Sequence, residues 1–303
     1  MPKQVIATHF GNPVGLGDRG NVIECEPCGY KHIDPLPTPA DIKAMYDEVF
    51  YAEIKPEYIS KMQAEKPYWL ALYKERIRGM ERLVPKLPTV LDIGCGPGYF
   101  MAAAKKLGYE PTGIEPNIHA LQHASAFGSV VGGFVEDDDV DFLPGIGMVH
   151  MSFILEHLID PGSVLKKIHG WMPTGGVLCI EVPRDDWGLQ EEARRKVGAT
   201  EWWMAPKEGH LNYFSSASLR SLVSRSGFSI QYETTTWPME FFILGGRSYI
   251  GDDAVGKKAH EDRMALEMLM WERMPETKKV LYDHLAKQGI GREIILYCRR
   301  EDA

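Results

Sequence analysis

Four groups of residues in this sequence have the types and spacing to do chemistry. Gly94, Cys95, Gly96, Pro97 and Gly98 place three glycines within five positions, directly after the apolar run Val90–Ile93. Glycine at that density strips side chains away so that a ligand can lie against bare backbone. Glu115 follows 21 residues after Gly94, at the end of "TGIE", where a carboxylate can accept both hydroxyls of a ribose. The ligand expected there carries an adenosine. His157 in "LEHLIDP" and His210 in "EGHLNYFS" are residues that titrate near neutrality and suit proton abstraction. Finally "CEPCG", Cys25 to Gly29, has the Cys-x-x-Cys-Gly form of half a zinc ribbon.

These residues need elements to position them. The spacing predicts strands at 89–93, 110–114, 129–131, 147–152, 176–182, 228–236 and 293–298. Helices are expected at 99–107, 118–127, 161–171 and 216–225. Such alternation implies an α/β fold: a doubly wound, Rossmann-like sheet of seven mainly parallel strands, with helices on both faces. Ligands of such sheets bind outside the carboxyl ends of the strands, where the glycine loop falls. Residues 1–40 are rich in Gly and Pro with little periodicity and read as an N-terminal arm bearing the knuckle. Residues 41–87 read as a helical cap, and 88–237 with 290–303 as the core. The long helical pattern from about 257 to 288, broken at Pro275, makes 238–289 a helical insertion between the last two strands.

The 303 residues are 44% apolar and 25% charged, a composition that buries a core, and no uncharged apolar run is long enough to span a membrane. A net charge of −8 repels phosphate backbones, so nucleic acid is a poor partner. Five scattered cysteines form no disulfide framework, and with no secretory segment a reducing cytoplasm is expected.

Two cofactors suit a glycine loop and a distal acid. The dinucleotide fingerprint Gly-x-Gly-x-x-Gly needs glycine at 99, which is Tyr99. The loop is Gly-x-Gly-x-Gly instead, preceded by Asp92. Together "VLDIGCGPGYF", "TGIEPN" and "MSFILEHLIDP" resemble the motifs of class I S-adenosylmethionine-dependent methyltransferases over about residues 88–237. That resemblance implies the cofactor roles. Gly94, Cys95, Gly96 and Gly98 would pass beneath the methionine moiety, with Asp92 helping to position it. Glu115 would hold the ribose, bordered by Pro116 and Asn117. Glu136 and Asp137 match an acidic segment that meets the adenine, though the plain reading of this run is a solvated loop. Ser152 and Phe153 would line the floor. It also implies an antiparallel last strand. Here the usual short connection to that strand is replaced by the insertion, whose Met264, Leu266, Met268, Leu269, Met270 and Trp271 suit either a homodimer surface or packing on the chain's own domain.

The acceptor is read from loops after the fourth and fifth core strands. His157 is usual at its place in small-molecule methyltransferases, where it shapes the pocket or acts as base. A histidine followed by "YFS" resembles methyltransferases acting on sugars, quinones and related small molecules, making His210 the candidate base, with Glu208 and Tyr213 to orient it or bind the acceptor. Trp187, Trp202 and Trp203 suit a ring or sugar, or simply cap the core. The place of the Asn/Asp-Pro-Pro-aromatic motif of amino-group nucleic-acid enzymes reads "SFIL", and no Pro-Cys nucleophile stands near the cofactor motifs. The expected reaction is methylation of a hydroxyl of a small molecule, a sugar or nucleotide-sugar among the candidates. The alternatives are C-methylation of a similar substrate, a protein or lipid-linked acceptor, or a non-catalytic subunit that binds the cofactor.

With no second cysteine pair, His9 and His32 are the residues that can complete a structural zinc site with Cys25 and Cys28; otherwise the two cysteines are reduced and idle. The knuckle, "GYKHIDPLPT" and "MYDEVFY" resemble the front of methyltransferases in sugar and surface-polysaccharide pathways. The sugar C-methyltransferases of that group carry a four-cysteine site and a second large domain, neither of which this sequence shows. Tyr46, Tyr51 and Tyr58 are placed to fold over the acceptor.

Overall fold

A computed structural model describes residues 8–17, 20–44, 58–83, 89–142, 145–185, 188–198 and 209–302. Glu208, Trp187, Trp202, Trp203, Tyr46 and Tyr51 lie outside them, and Tyr58 is described only as the first residue of a helix.

The central sheet forms from the runs the sequence marks. β4 (Thr89–Ile93), β5 (Glu110–Glu115), β6 (Ser129–Gly132), β7 (Met148–Ser152) and β8 (Val177–Pro183) pair in parallel, in the order β8-β7-β4-β5-β6. "VLCIEV" in β8 is buried throughout, as a parallel strand covered on both faces must be. β11 (Glu293–Arg300) runs antiparallel between β8 and β10 (Phe228–Thr234), completing seven strands. Helices α4 (Tyr99–Lys106), α5 (Ile118–Ala124), α6 (Pro161–Trp171) and α8 (Ser216–Arg225) cover its faces. Their starts are chemically marked: Asn117 and Asp160 accept backbone N–H groups at the first turns of α5 and α6, and Ser215 and Ser218 form a reciprocal capping box on α8.

The N-terminal arm is more ordered than its composition predicts. β1 (Gly11–Gly17), β2 (Gly20–Cys25) and β3 (Tyr30–Asp34) form an antiparallel meander. A fourth strand, β9 (Asn212–Tyr213), comes from the core and pairs with β3. Periodicity cannot reveal a sheet whose fourth strand arrives about 180 residues later. The stretch after β8, which reads as loop, likewise contains α7 (Gly188–Val197) besides β9.

The cap contributes α1 (Pro39–Ala44), α2 (Tyr58–Ala64) and α3 (Lys66–Glu81). The insertion folds as α9 (Glu240–Leu244), α10 (Asp253–Arg273) and α11 (Pro275–Lys287), with the expected break at Pro275. Its buried side chains face the chain's own cap. Glu267 of α10, 2% exposed, accepts hydrogen bonds from Tyr68 of α3 (2.6 Å), Arg263 (2.7 Å) and Tyr282 of α11 (2.8 Å). Trp271 packs its ring 5.5 Å from that of Tyr68.

A buried ion pair ties the cap to the sheet. Arg76 of α3, 2% exposed, donates to Glu181 of β8 at 3.1 Å, and Ser152 donates to the other carboxylate oxygen at 3.0 Å. Removing one partner strands a charge in the core. Arg76→Ala is therefore expected to cost about 3–5 kcal/mol in urea denaturation, and Arg76→Met with Glu181→Gln to recover most of that loss.

Candidate active site

A cavity of about 910 Å³ opens at the carboxyl ends of β4, β5, β7 and β8, and the cap and insertion wall its far side. One end is the glycine loop. Gly94 and Gly98 have φ of +69° and +82°, a region costly for any residue with a Cβ. A Cβ on Gly98 would also stand 2.7 Å from the Ala124 backbone, so this glycine lets α4 pack against α5. Beside the loop, Glu115 is 3% exposed. It accepts the Gly96 N–H through Oε2 and the Asn117 N–H through Oε1, both at 2.9 Å. These bonds fix the carboxylate between the glycine loop and the end of β5, where it lines the cavity.

Of the other residues expected at the cofactor, Asp92, Cys95, Pro116, Glu136, Ser152 and Phe153 all line the cavity. Asn117 does not line it; its Oδ1 is taken by the N–H groups of His119 and Ala120 at the start of α5. Asp137 turns away: it accepts the Phe134 N–H at 2.8 Å and does not line the cavity. Glu136 accepts the N–H of Ile159 at 3.0 Å, and burial holds its carboxyl above the usual range. Its carboxylate thereby ties the acidic loop to the segment after β7, and Phe134 and Val135 of the same loop also line the cavity. Phe153 has φ +55°, the one positive value among the described non-glycine residues, and is 41% exposed. Backbone strain of that kind gathers at functional sites.

One residue of this end was not foreseen. His150 of β7, 2% exposed, sits 2.7 Å from Asp92 through Nδ1 and stacks on Phe100 with ring centroids 3.9 Å apart. Burial raises the Asp92 carboxyl, and the His150 hydrogen bond opposes that shift. The sequence signal was there, a histidine in an otherwise apolar strand ("MVHMS"), but only the register of β7 on β4 sets it opposite Asp92.

The other end gathers the two histidines. His157 stands in a 3-10 turn after β7 (Leu155–His157), and His210 in the loop before β9. Their rings are 4.8 Å apart, edge to face, and both line the cavity. His157 Nδ1 lies 3.1 Å from the Gly209 carbonyl, to which it must donate, so the lone pair of the neutral ring is on Nε2. Together with Glu156, their ligand atoms lie within 4.8 Å of one another, close enough to face one cation. Tyr213 points elsewhere. It is 2% exposed in the core of the N-terminal sheet, and its hydroxyl reaches the His210 carbonyl at 3.4 Å rather than the ring.

The insertion closes this end with Glu240, His260 and Arg263, joined by Trp237 before it and by Arg292 and Glu293 at the start of β11. None of these was singled out in the sequence, because the sheet must form before β11 and the insertion reach the cavity. Burial pushes the Glu293 carboxyl from 4.5 up to about 8, against the pull of Arg292, whose Nε is 4.0 Å away. Between those pH values the folded protein holds a proton that the unfolded chain releases, so stability falls as pH rises through that window. Glu293→Gln is expected to melt with the wild type at pH 4 and about 4 °C above it at pH 8.5, by calorimetry.

A sheet of this order, with a glycine loop and distal acid at its carboxyl ends, defines a Rossmann-like nucleotide-binding protein. A family model described as a methyltransferase domain matches residues 68–233, more than half of the chain, and the chain belongs to that family. It is 30% identical over 118 residues to the ubiquinone biosynthesis O-methyltransferase of Caulobacter vibrioides, covering 37% of this chain and 46% of that protein. It is 26% identical over 140 residues to the trans-aconitate 2-methyltransferase of Methylobacterium radiotolerans, covering 43% and 54%. The chain thus spans about half the length of these curated relatives. The fold matches the Burkholderia thailandensis 1,6-didemethyltoxoflavin-N1-methyltransferase with a TM-score of 0.53 and 14% identity, over 96% of this chain and all of that one. A chain of the Haloferax volcanii complex between the Trm112 methyltransferase activator and a methyltransferase gives a TM-score of 0.55 and 16% identity, covering 86% and 98%.

Proposed function

We propose that this protein transfers a methyl group from S-adenosylmethionine to a hydroxyl of a small molecule, with a sugar or nucleotide-sugar as the favoured class. The observation that carries the reading is the pair His157–His210, which shares one cavity with the glycine loop and Glu115. The donor fits the residues present: the loop at Gly94 to Gly96 takes the amino-acid part, Glu115 the ribose diol, and the Phe134–Val135 segment the base. When bound, S-adenosylmethionine supplies an electrophilic methyl on a sulfonium and departs as S-adenosylhomocysteine.

The chain's own residues do the rest. His210 takes the acceptor's hydroxyl proton at a ring nitrogen, so that the oxygen attacks with alkoxide character. His157, fixed through Nδ1 on the Gly209 carbonyl, holds the His210 loop and orients that ring. Arg263, Arg292 and the protonated Glu293 offer hydrogen-bond donors at the insertion side of the cavity, which suits an acceptor rich in oxygen. Cap and insertion together exclude water from the transfer. The 30% identity to an O-methyltransferase supports oxygen as the atom methylated.

The test uses methyl-labelled S-adenosylmethionine and a fractionated extract of the source cells. Label in the small polar fraction, released as a methyl ether, supports the reading. Label in protein, lipid or nucleic acid replaces the substrate class, and label bound to carbon replaces the atom. Tight binding of S-adenosylhomocysteine with no transfer in any fraction makes the chain a non-catalytic subunit.

A further inference from the structure

The N-terminal meander gathers a second group of ligating side chains, outside the cavity. His9, Cys25, Cys28 and His32 bring one ligand atom each to within 4.8 Å of one another. Cys25 ends β2, Cys28 lies in the turn to β3, His32 is the third residue of β3, and His9 precedes β1. Cys25 and His32 are each 1% exposed.

Three features of the cluster point to a metal ion. First, His9 Nδ1 lies 3.6 Å from Cys25 Sγ and 3.4 Å from Cys28 Sγ. Tetrahedral zinc has bonds of about 2.3 Å to sulfur and 2.0–2.1 Å to nitrogen, which sets neighbouring S and N ligands about 3.5 Å apart. Second, His32 Nδ1 lies 2.7 Å from the Ile33 carbonyl, and the oxygen must accept, so Nδ1 carries the proton and Nε2 the lone pair. A backbone carbonyl behind a ligating histidine is the usual outer-shell arrangement. Third, His32 Nε2 is buried with no hydrogen-bond partner, although an orphaned polar atom in a core is costly. The His9 ring stands edge-on 4.7 Å from that of His32.

The same strand reaches the active site. His32 is the cross-strand partner of Asn212, and the Ile33 N–H donates to the Leu211 carbonyl at 2.9 Å. Leu211 follows His210 directly, and its own N–H donates to the Glu156 carbonyl at 2.7 Å. Asn212 Nδ2 donates to the carbonyls of Leu155 (3.0 Å) and Leu158 (2.7 Å), bracketing His157. We infer that His9, Cys25, Cys28 and His32 bind one structural zinc ion, and that this ion fixes β3 so that β9 holds His210 and His157 in register. The second half of the inference rests on the reading of that histidine pair; the first half does not.

Purified full-length protein from zinc-supplemented culture should contain one zinc per chain by elemental analysis. Cobalt exchanged into the site should give the intense visible absorption of tetrahedral cobalt bound by thiolate. Cys28→Ser and His9→Ala should each lose that spectrum, and His9→Ala, outside any strand, guards against a cysteine variant that fails to fold. Chelating the metal from folded wild type should lower kcat about 10–100-fold and leave the Kd for S-adenosylhomocysteine within about twofold, with zinc restoring the rate. Far less than one zinc per chain with no cobalt spectrum overturns the site. Stoichiometric metal whose removal leaves kcat unchanged overturns the coupling. If His210→Ala is as active as wild type while the metal signals stand, the histidine reading fails and the metal site survives.

Discussion

His210→Ala should lower kcat for methyl transfer by about 10²–10⁴-fold, the usual contribution of a general base, while S-adenosylhomocysteine binds within about twofold of wild type. The asymmetry follows from the geometry. His210 lines the end of the cavity walled by the insertion, whereas the glycine loop and Glu115 form the other. A residue that acts only on the acceptor proton changes the transition state and spares cofactor binding. His157→Ala discriminates the roles of the pair. If His157 positions its neighbour through the Gly209 carbonyl, its loss should cost about tenfold, and the acidic limb of the pH–rate profile should stay with His210. A His210 variant with full kcat and a His157 variant with none would reverse the assignment.

Glu115→Ala should weaken S-adenosylhomocysteine by about 100-fold in titration calorimetry. A hydrogen bond to a charged group is worth about 1.5–3 kcal/mol. Loss of the diol contacts alone then accounts for about two orders of magnitude. The Gly96 and Asn117 N–H groups also lose their acceptor, and with it the loop loses the carboxylate that ties it to the end of β5. Glu115→Gln keeps one oxygen and the shape, so it should lose about tenfold. An unchanged affinity in Glu115→Ala would remove the ribose from this position, and with it the orientation of the donor in the cavity.

The two variants divide the site as the sequence does. The glycine-loop half is local: the loop, its acid 21 residues on and the strands between them belong to one β-loop-α-β unit. The cavity wall at Asp92, Gly94, Glu115 and Ser152 was legible because a glycine loop after a buried strand can sit in few places in a parallel sheet. Even there the register mattered. Asp137 looked equivalent to Glu136, yet it caps the Phe134 N–H. The partner of Asp92 is His150, from a strand hydrogen-bonded to β4 but nearly 60 residues away.

The histidine half was legible only as a set of candidates. His157 and His210 lie 53 residues apart and meet because Asn212 and Leu211 pin the later loop to the earlier turn. Tyr213, three residues from His210, alternates inward along β9 and enters the N-terminal core, so its side chain serves packing. The insertion's apolar residues suited a partner surface as well as they suited their own domain. Tyr68, Arg263 and Tyr282 converging on the buried Glu267 carboxylate anchor α10 on the cap, which makes the insertion a wall of this chain's cavity.

By itself the sequence determined the alternating fold and the helix starts, and it marked the glycine loop with its distal acid and the Cys-x-x-Cys turn. Each of those rests on interactions short in sequence: strand alternation, capping side chains, a glycine run, a Cys-x-x-Cys turn. Tertiary structure decided which titratable groups share a volume. It joined a meander that composition leaves unmarked to the loop of His210, set His150 against Asp92, and turned Glu293 inward where burial holds its proton to about pH 8. Such pairings depend on strand register and on desolvation at a closed cavity, and both exist only once distant segments have packed.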